Sequence, residues 1–174
     1  MEISPTRYAR AADGVSIAYV EFGSGPPIVQ LGAPFNLTPS ATEMFDWQRH
    51  LLEPIADKHR IIYVQPRGTG LSQRAVPYTL DDRSLDIPSV MDALQIDRAP
   101  VWAGWQSTFA AVRFAARHPE RVSHLILHGP ALRGADFYKP GSFVAAAAPL
   151  LEYDVRLGAE TIGRGGPGHD AGGR

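Results

Sequence analysis

Ser107, Asp136 and His169 follow one another along this 174-residue chain in the order hydroxyl, carboxylate, imidazole. Those side chains form an acyl-transfer centre when the imidazole takes the hydroxyl proton, the carboxylate orients the imidazole, and backbone amides hold the developing oxyanion. Ser107 lies in V-W-A-G-W-Q-S-T-F-A-A-V-R-F-A-A-R-H, residues 101–118. A short apolar run, a glycine, a polar pair and an alanine-rich amphipathic segment predict strand, sharp turn and helix. A G-x-S-x-G elbow has the same layout and lifts a nucleophile above a parallel sheet. The slots are filled differently here. Counted from Gly104, the central slot holds Gln106 and Thr108 replaces the closing glycine; shifted back by one, the centre is Trp105. Ser107 is central in neither register, and as a nucleophile it needs a locally different turn. In the simpler reading it is a cap or first-turn residue of the helix.

The partners are no better held. Asp136 falls in a loop after the apolar run 125–128, where a solvated carboxylate is the ordinary expectation. His169 sits in T-I-G-R-G-G-P-G-H-D-A-G-G-R, a tail with too little apolar content to fold. A base misplaced by about 1 Å loses roughly two orders of magnitude in rate, so an untethered imidazole contributes little. The oxyanion donor would be an amide near Gly32 or Thr108, and Ala33, Phe35, Trp105 and Gln106 would border the pocket. His124 and His128 face one side of a predicted strand. With no H-E-x-x-H and no carboxylate at ligand spacing, no metal site is assigned. Arg67-Gly68-Thr69-Gly70 lacks the lysine and the glycine spacing of a phosphate loop, and its glycines suit a tight turn instead. No cofactor is called for.

The elements that must carry these residues alternate. Arg7–Ala11 and Val15–Phe22 flank Asp13-Gly14, a signal for a two-residue hairpin turn. Ile28–Leu31, Ile61–Val64 and Leu125–His128 read as short strands, and Met44–Ile55 has near-helical apolar spacing. Leu80–Leu94 should be helical, with Pro88 forcing a kink or a new start nearby. Ser142–Leu157, with Ala145 to Ala148, favours helix. Strands alternating with helices predict an α/β fold with a mostly parallel sheet and an N-terminal hairpin. The formal net charge of −1 gives no argument for nucleic acid or an acidic membrane. No apolar run approaches the roughly 18 residues of a membrane span. The start M-E-I-S-P-T-R-Y lacks the marks of a signal peptide, and there is no cysteine. Together these make the cytoplasm the expected compartment.

Three stretches carry a family resemblance. R-Y-A-R-A-A-D-G-V-S-I-A-Y resembles the first hairpin of the α/β-hydrolase fold. R-I-I-Y-V-Q-P-R-G-T-G-L-S looks like its strand and loop D-x-R-G-x-G-x-S, and F-A-A-R-H-P-E-R-V-S-H-L-I-L is similar to its elbow-helix end and following strand. The match runs over roughly residues 7–160 and implies an α/β-hydrolase-type sheet that stops before the last strands. It divides the chain into a partial domain, residues 1–158, and a Gly-rich tail, residues 159–174. The abrupt change after Ile162 is what a frameshift or a truncated gene would produce, and the last predicted strand is then an uncovered edge open to association. The chain further resembles hydrolase-like domains that some bacteria join to a DNA-binding response domain or a nucleotide cyclase. The resemblance implies hydrolysis of ester-like small molecules without a cofactor. Gln65 stands where the family commonly has an acidic residue, and Leu31-Gly32-Ala33-Pro34 where it has His-Gly. With the altered elbow, these departures leave two expectations open: an impaired hydrolase, or a non-catalytic ligand-sensing module.

Overall fold

The computed structural model describes residues 2–32 and 49–130, with positions 133, 135 and 139. Six strands form one sheet: β1 (Arg7–Arg10), β2 (Ser16–Phe22), β3 (Pro27–Leu31), β4 (Arg60–Val64), β5 (Ala99–Gly104) and β6 (Val122–His128). Their spatial order is β1-β2-β4-β3-β5-β6. β1, β2 and β4 pair antiparallel, whereas β4, β3, β5 and β6 run parallel. The expected mostly parallel sheet with an N-terminal hairpin is present.

The hairpin turn is wider than the Asp13-Gly14 signal predicts. Ala11 N–H donates to the Val15 carbonyl and Gly14 N–H to the Ala11 carbonyl, which leaves a three-residue loop. A two-residue type I′ turn needs positive φ at both central residues. Here Gly14 has φ 84° and Asp13 is not left-handed, so the chain takes the three-residue form.

Strand alternation builds two core layers. Ile17, Val29, Leu31, Ile62, Val64, Val101 and Ala103 bury one face. Against it pack α3 (Asp86–Ala93), through Ile87, Val90 and Met91, and α4 (Ser107–Arg117), through Ala110, Ala111 and Phe114. Val20, Phe22, Ile61 and Tyr63 line the opposite face, with Leu52 and Ala56 of α1 (Arg49–Ala56). I-I-Y-V in β4 is thus buried on both sides, as a central parallel strand requires.

The segment 80–94 is two helices. α2 (Leu80–Ser84) begins in a reciprocal capping box, the Thr79 hydroxyl accepting from Asp82 N–H while the Asp82 carboxylate accepts from Thr79 N–H. Leu85 separates it from α3, in whose first turn Pro88 sits, where its missing N–H costs no helical bond. The predicted helix 142–157 and the tail lie outside the described residues.

The loop after β4 is fixed by a buried charge network. Arg67 is fully buried; its Nε donates to Asp86 Oδ1 (2.7 Å) and its backbone N–H to Asp86 Oδ2 (2.9 Å). Its Nη1 reaches Asp13 Oδ2 at 2.5 Å. Arg67-Gly68-Thr69-Gly70 therefore ties the hairpin turn to the start of α3. Burial pushes the Asp86 carboxyl up to about 6, against the pull of its bonds from Arg67. The Arg67 side-chain bond, opposed by partial burial, holds Asp13 below its ordinary value.

Candidate functional site

β5 ends at Gly104 and α4 begins at Ser107, so the chain reverses over Trp105 and Gln106. The turn residue is Trp105, left-handed at φ 54° although it carries a full side chain. Such a conformation costs about 1–3 kcal/mol and persists only where its surroundings enforce it. They do. Trp105 N–H donates to the His128 carbonyl at 2.9 Å, and its own carbonyl accepts from Thr108 N–H (3.0 Å) and the Thr108 hydroxyl (2.5 Å). Its indole meets the His128 ring edge-on, centroids 6.1 Å apart. Of the two registers allowed by the sequence, the strained position coincides with the one centred on Trp105.

Ser107 lies in the first turn of α4, wholly buried, and its hydroxyl donates to the Gly32 carbonyl at 2.5 Å. Gly32 N–H donates to the Val64 carbonyl at 2.8 Å. Both amides named for an oxyanion hole, those of Gly32 and Thr108, are thus already donating to main-chain carbonyls. Glycine at 32 has a steric cause: a Cβ there would lie 2.6 Å from Tyr63 Cζ.

Gln106 is 8% exposed, and among the described residues neither its Oε1 nor its Nε2 has a hydrogen-bond partner. Its main-chain carbonyl accepts from Arg83 Nη2 at 3.2 Å, and the Arg83 guanidinium lies over the Tyr78 ring at 5.0 Å. Gln106 stands out in the sequence at the elbow, whereas Arg83 does not. No spacing rule links a residue of α2 to the elbow, and only the basic residue in the last turn of a short capped helix hinted at it.

Ala33, Phe35, Asp136 and His169 lie outside the described residues. The structure therefore brings together Gly32, Trp105, Gln106, Ser107 and Thr108 at one end of β3 and β5. Among the described residues no cluster of His, Asp and Glu could hold a metal ion, and no helix is long and apolar enough to cross a membrane.

A mostly parallel sheet with a hairpin at one edge and a strained strand–turn–helix at the end of β5 defines the α/β-hydrolase fold. An esterase from Exiguobacterium antarcticum superposes with a TM-score of 0.67 at 26% identity, covering 91% of this chain and 60% of the esterase. A hydrolase from Pseudomonas aeruginosa gives a TM-score of 0.65 at 21% identity, over 91% of this chain and 67% of that one. A haloalkane dehalogenase from Agrobacterium fabrum is 30% identical over 131 residues, 74% of this chain and 40% of the relative. A 2-hydroxymuconate semialdehyde hydrolase from Pseudomonas sp. strain CF600 is 30% identical over 122 residues, 69% of this chain and 42% of the relative. The chain spans less than half the length of the curated relatives it matches. No family model matches it. Curated and structural neighbours together support an α/β-hydrolase-fold family.

Proposed function

We propose that this chain is an α/β-hydrolase-fold domain of small-molecule hydrolase ancestry whose elbow has lost its nucleophile, and that it works as a ligand-sensing or regulatory module. The observation that carries this reading is left-handed Trp105 between β5 and α4. With Trp105 central, Ala103 and Ser107 take the two flanking small-residue positions of G-x-S-x-G. A serine in the closing position is buried and must find an internal acceptor, as Ser107 does at Gly32. Indole has no group that attacks a carbonyl or displaces a halide, so the elbow retains its shape without its chemistry. The ligand is a small molecule lying against Trp105, and no cofactor takes part. Such a module fits the joined response-domain and cyclase architectures that the sequence resembles.

A second reading, hydrolysis of ester-like small molecules, is favoured by the relatives, which are named as a dehalogenase, an esterase and hydrolases. It would run through Ser107, with Asp136 and His169 as acid and base, and it requires the Ser107 hydroxyl to leave Gly32. Labelling of the full chain with a serine-directed phosphonate, read by intact mass, separates the two. No adduct is expected. An adduct that disappears in Ser107→Ala would sink the module reading and establish the hydrolase.

A further inference from the structure

Gln106 is the one described residue whose side chain buries both an unpartnered donor and an unpartnered acceptor. Its neighbours are satisfied: the Ser107 hydroxyl on Gly32, the Thr108 hydroxyl on the Trp105 carbonyl, the Gln106 carbonyl by Arg83. A buried amide without partners forfeits its hydration for nothing, and an apolar side chain of similar size would avoid the loss. The orphaned amide stands beside Trp105, at the end of the parallel sheet where ligands of open α/β folds bind. Arg83 adds a second unsatisfied donor, its buried Nε.

We infer that the Gln106 carboxamide is a recognition group for a small ligand bearing an amide edge: a primary carboxamide, a urea or a lactam. This rests on the ligand-sensing reading of the elbow and specifies its ligand class. The chemistry selects that class. Oε1 needs a donor and Nε2 an acceptor, side by side in one plane, and another amide edge offers both in that arrangement. A carboxylate would serve Nε2 but set a negative charge against Oε1, and an ester has no donor to offer. The Arg83 guanidinium adds positive potential beside the elbow, favouring the ligand's carbonyl oxygen.

The test is titration of the full-length ¹⁵N-labelled chain with δ-valerolactam, with propionate and methyl acetate as controls. The Gln106 side-chain amide is assigned by its loss in Gln106→Leu, and the Trp105 indole N–H serves as a second reporter. The lactam should shift both signals saturably, with each control at least about tenfold weaker. In Gln106→Leu the indole response should vanish while Tm stays level or rises, because no ligand-free hydrogen bond is lost. A fall in Tm would mean that the carboxamide is already bonded in the free protein, and would overturn the assignment. So would an absent lactam response, or propionate binding as strongly. An indole response that survives Gln106→Leu overturns the role of Gln106 and leaves the sensing module standing, whereas phosphonate labelling at Ser107 removes the module itself.

Discussion

The Ser107 hydroxyl donates to the Gly32 carbonyl across 75 residues of sequence, joining the first turn of the elbow helix to the end of β3. Gly32 N–H is spent on Val64 in β4, so a single residue fastens three elements at the end of the strands where the site lies. Freeing Ser107 therefore exposes a buried main-chain acceptor, and the hydroxyl's contribution is structural before it is chemical.

The chain has no cysteine, which makes introduced thiols clean reporters. Trp105→Cys should alkylate with iodoacetamide at the rate of an accessible thiol, and Ser107→Cys about tenfold or more slowly, because it must await a local opening. Equal rates would show that position 107 faces the solvent-accessible site after all.

Gly32→Ala forces a Cβ against the Tyr63 ring, which is itself only 2% exposed. Overpacking of this kind costs about 1–3 kcal/mol. Tyr63→Leu should recover part of that loss in the double variant, giving a coupling above about 0.5 kcal/mol in urea melts. Purely additive losses would point to a backbone requirement at Gly32 instead.

Arg67→Met should destabilise the fold by about 3–5 kcal/mol near neutral pH, since it strands a buried carboxylate. The pH dependence follows from the two partners. Asp86, raised to about 6, favours the folded state at acid pH, and this contribution fades as pH rises through that value. Asp13, lowered, contributes above its ordinary range and loses the contribution as pH falls through its folded value. Losing Arg67 removes the cation that opposes burial at Asp86, so its carboxyl should rise further and take up a proton more readily as pH falls. The deficit of the variant should then be smaller at about pH 5 than at about pH 7.5 in urea melts. A deficit that is flat, or larger in acid, would mean Asp86 is not the stranded group.

Where apolar patterning and turn residues agreed, the sequence could be read directly. I-I-Y-V, the D-G hairpin signal and the strand–turn–helix around Gly104 all place their elements, since burial on one or two faces leaves few alternatives. The elbow register could not be decided that way. A glycine would have marked the left-handed position, but the residue that adopts it is Trp105, held by His128 and Thr108 from outside its own segment. The chemistry of Ser107 invites a catalytic role; its bond to Gly32 depends on the distance between two distant parts of the chain, which no local pattern records. In the sequence Arg67 is part of a turn, and only the fold reveals that Asp13 and Asp86 converge on it.

The strand order has a consequence for synthesis. β2 and β3 are consecutive in the chain, yet β4 lies between them, so neither can complete its pairing until residues 60–64 have been made. β3 ends at Leu31 and β4 starts at Arg60. At about 5–20 residues per second, a nascent chain holds two open apolar strands for a few seconds before the wedge arrives. A chaperone that shields short extended segments near the ribosome exit would act in that interval, and slow codons between positions 31 and 60 would lengthen it.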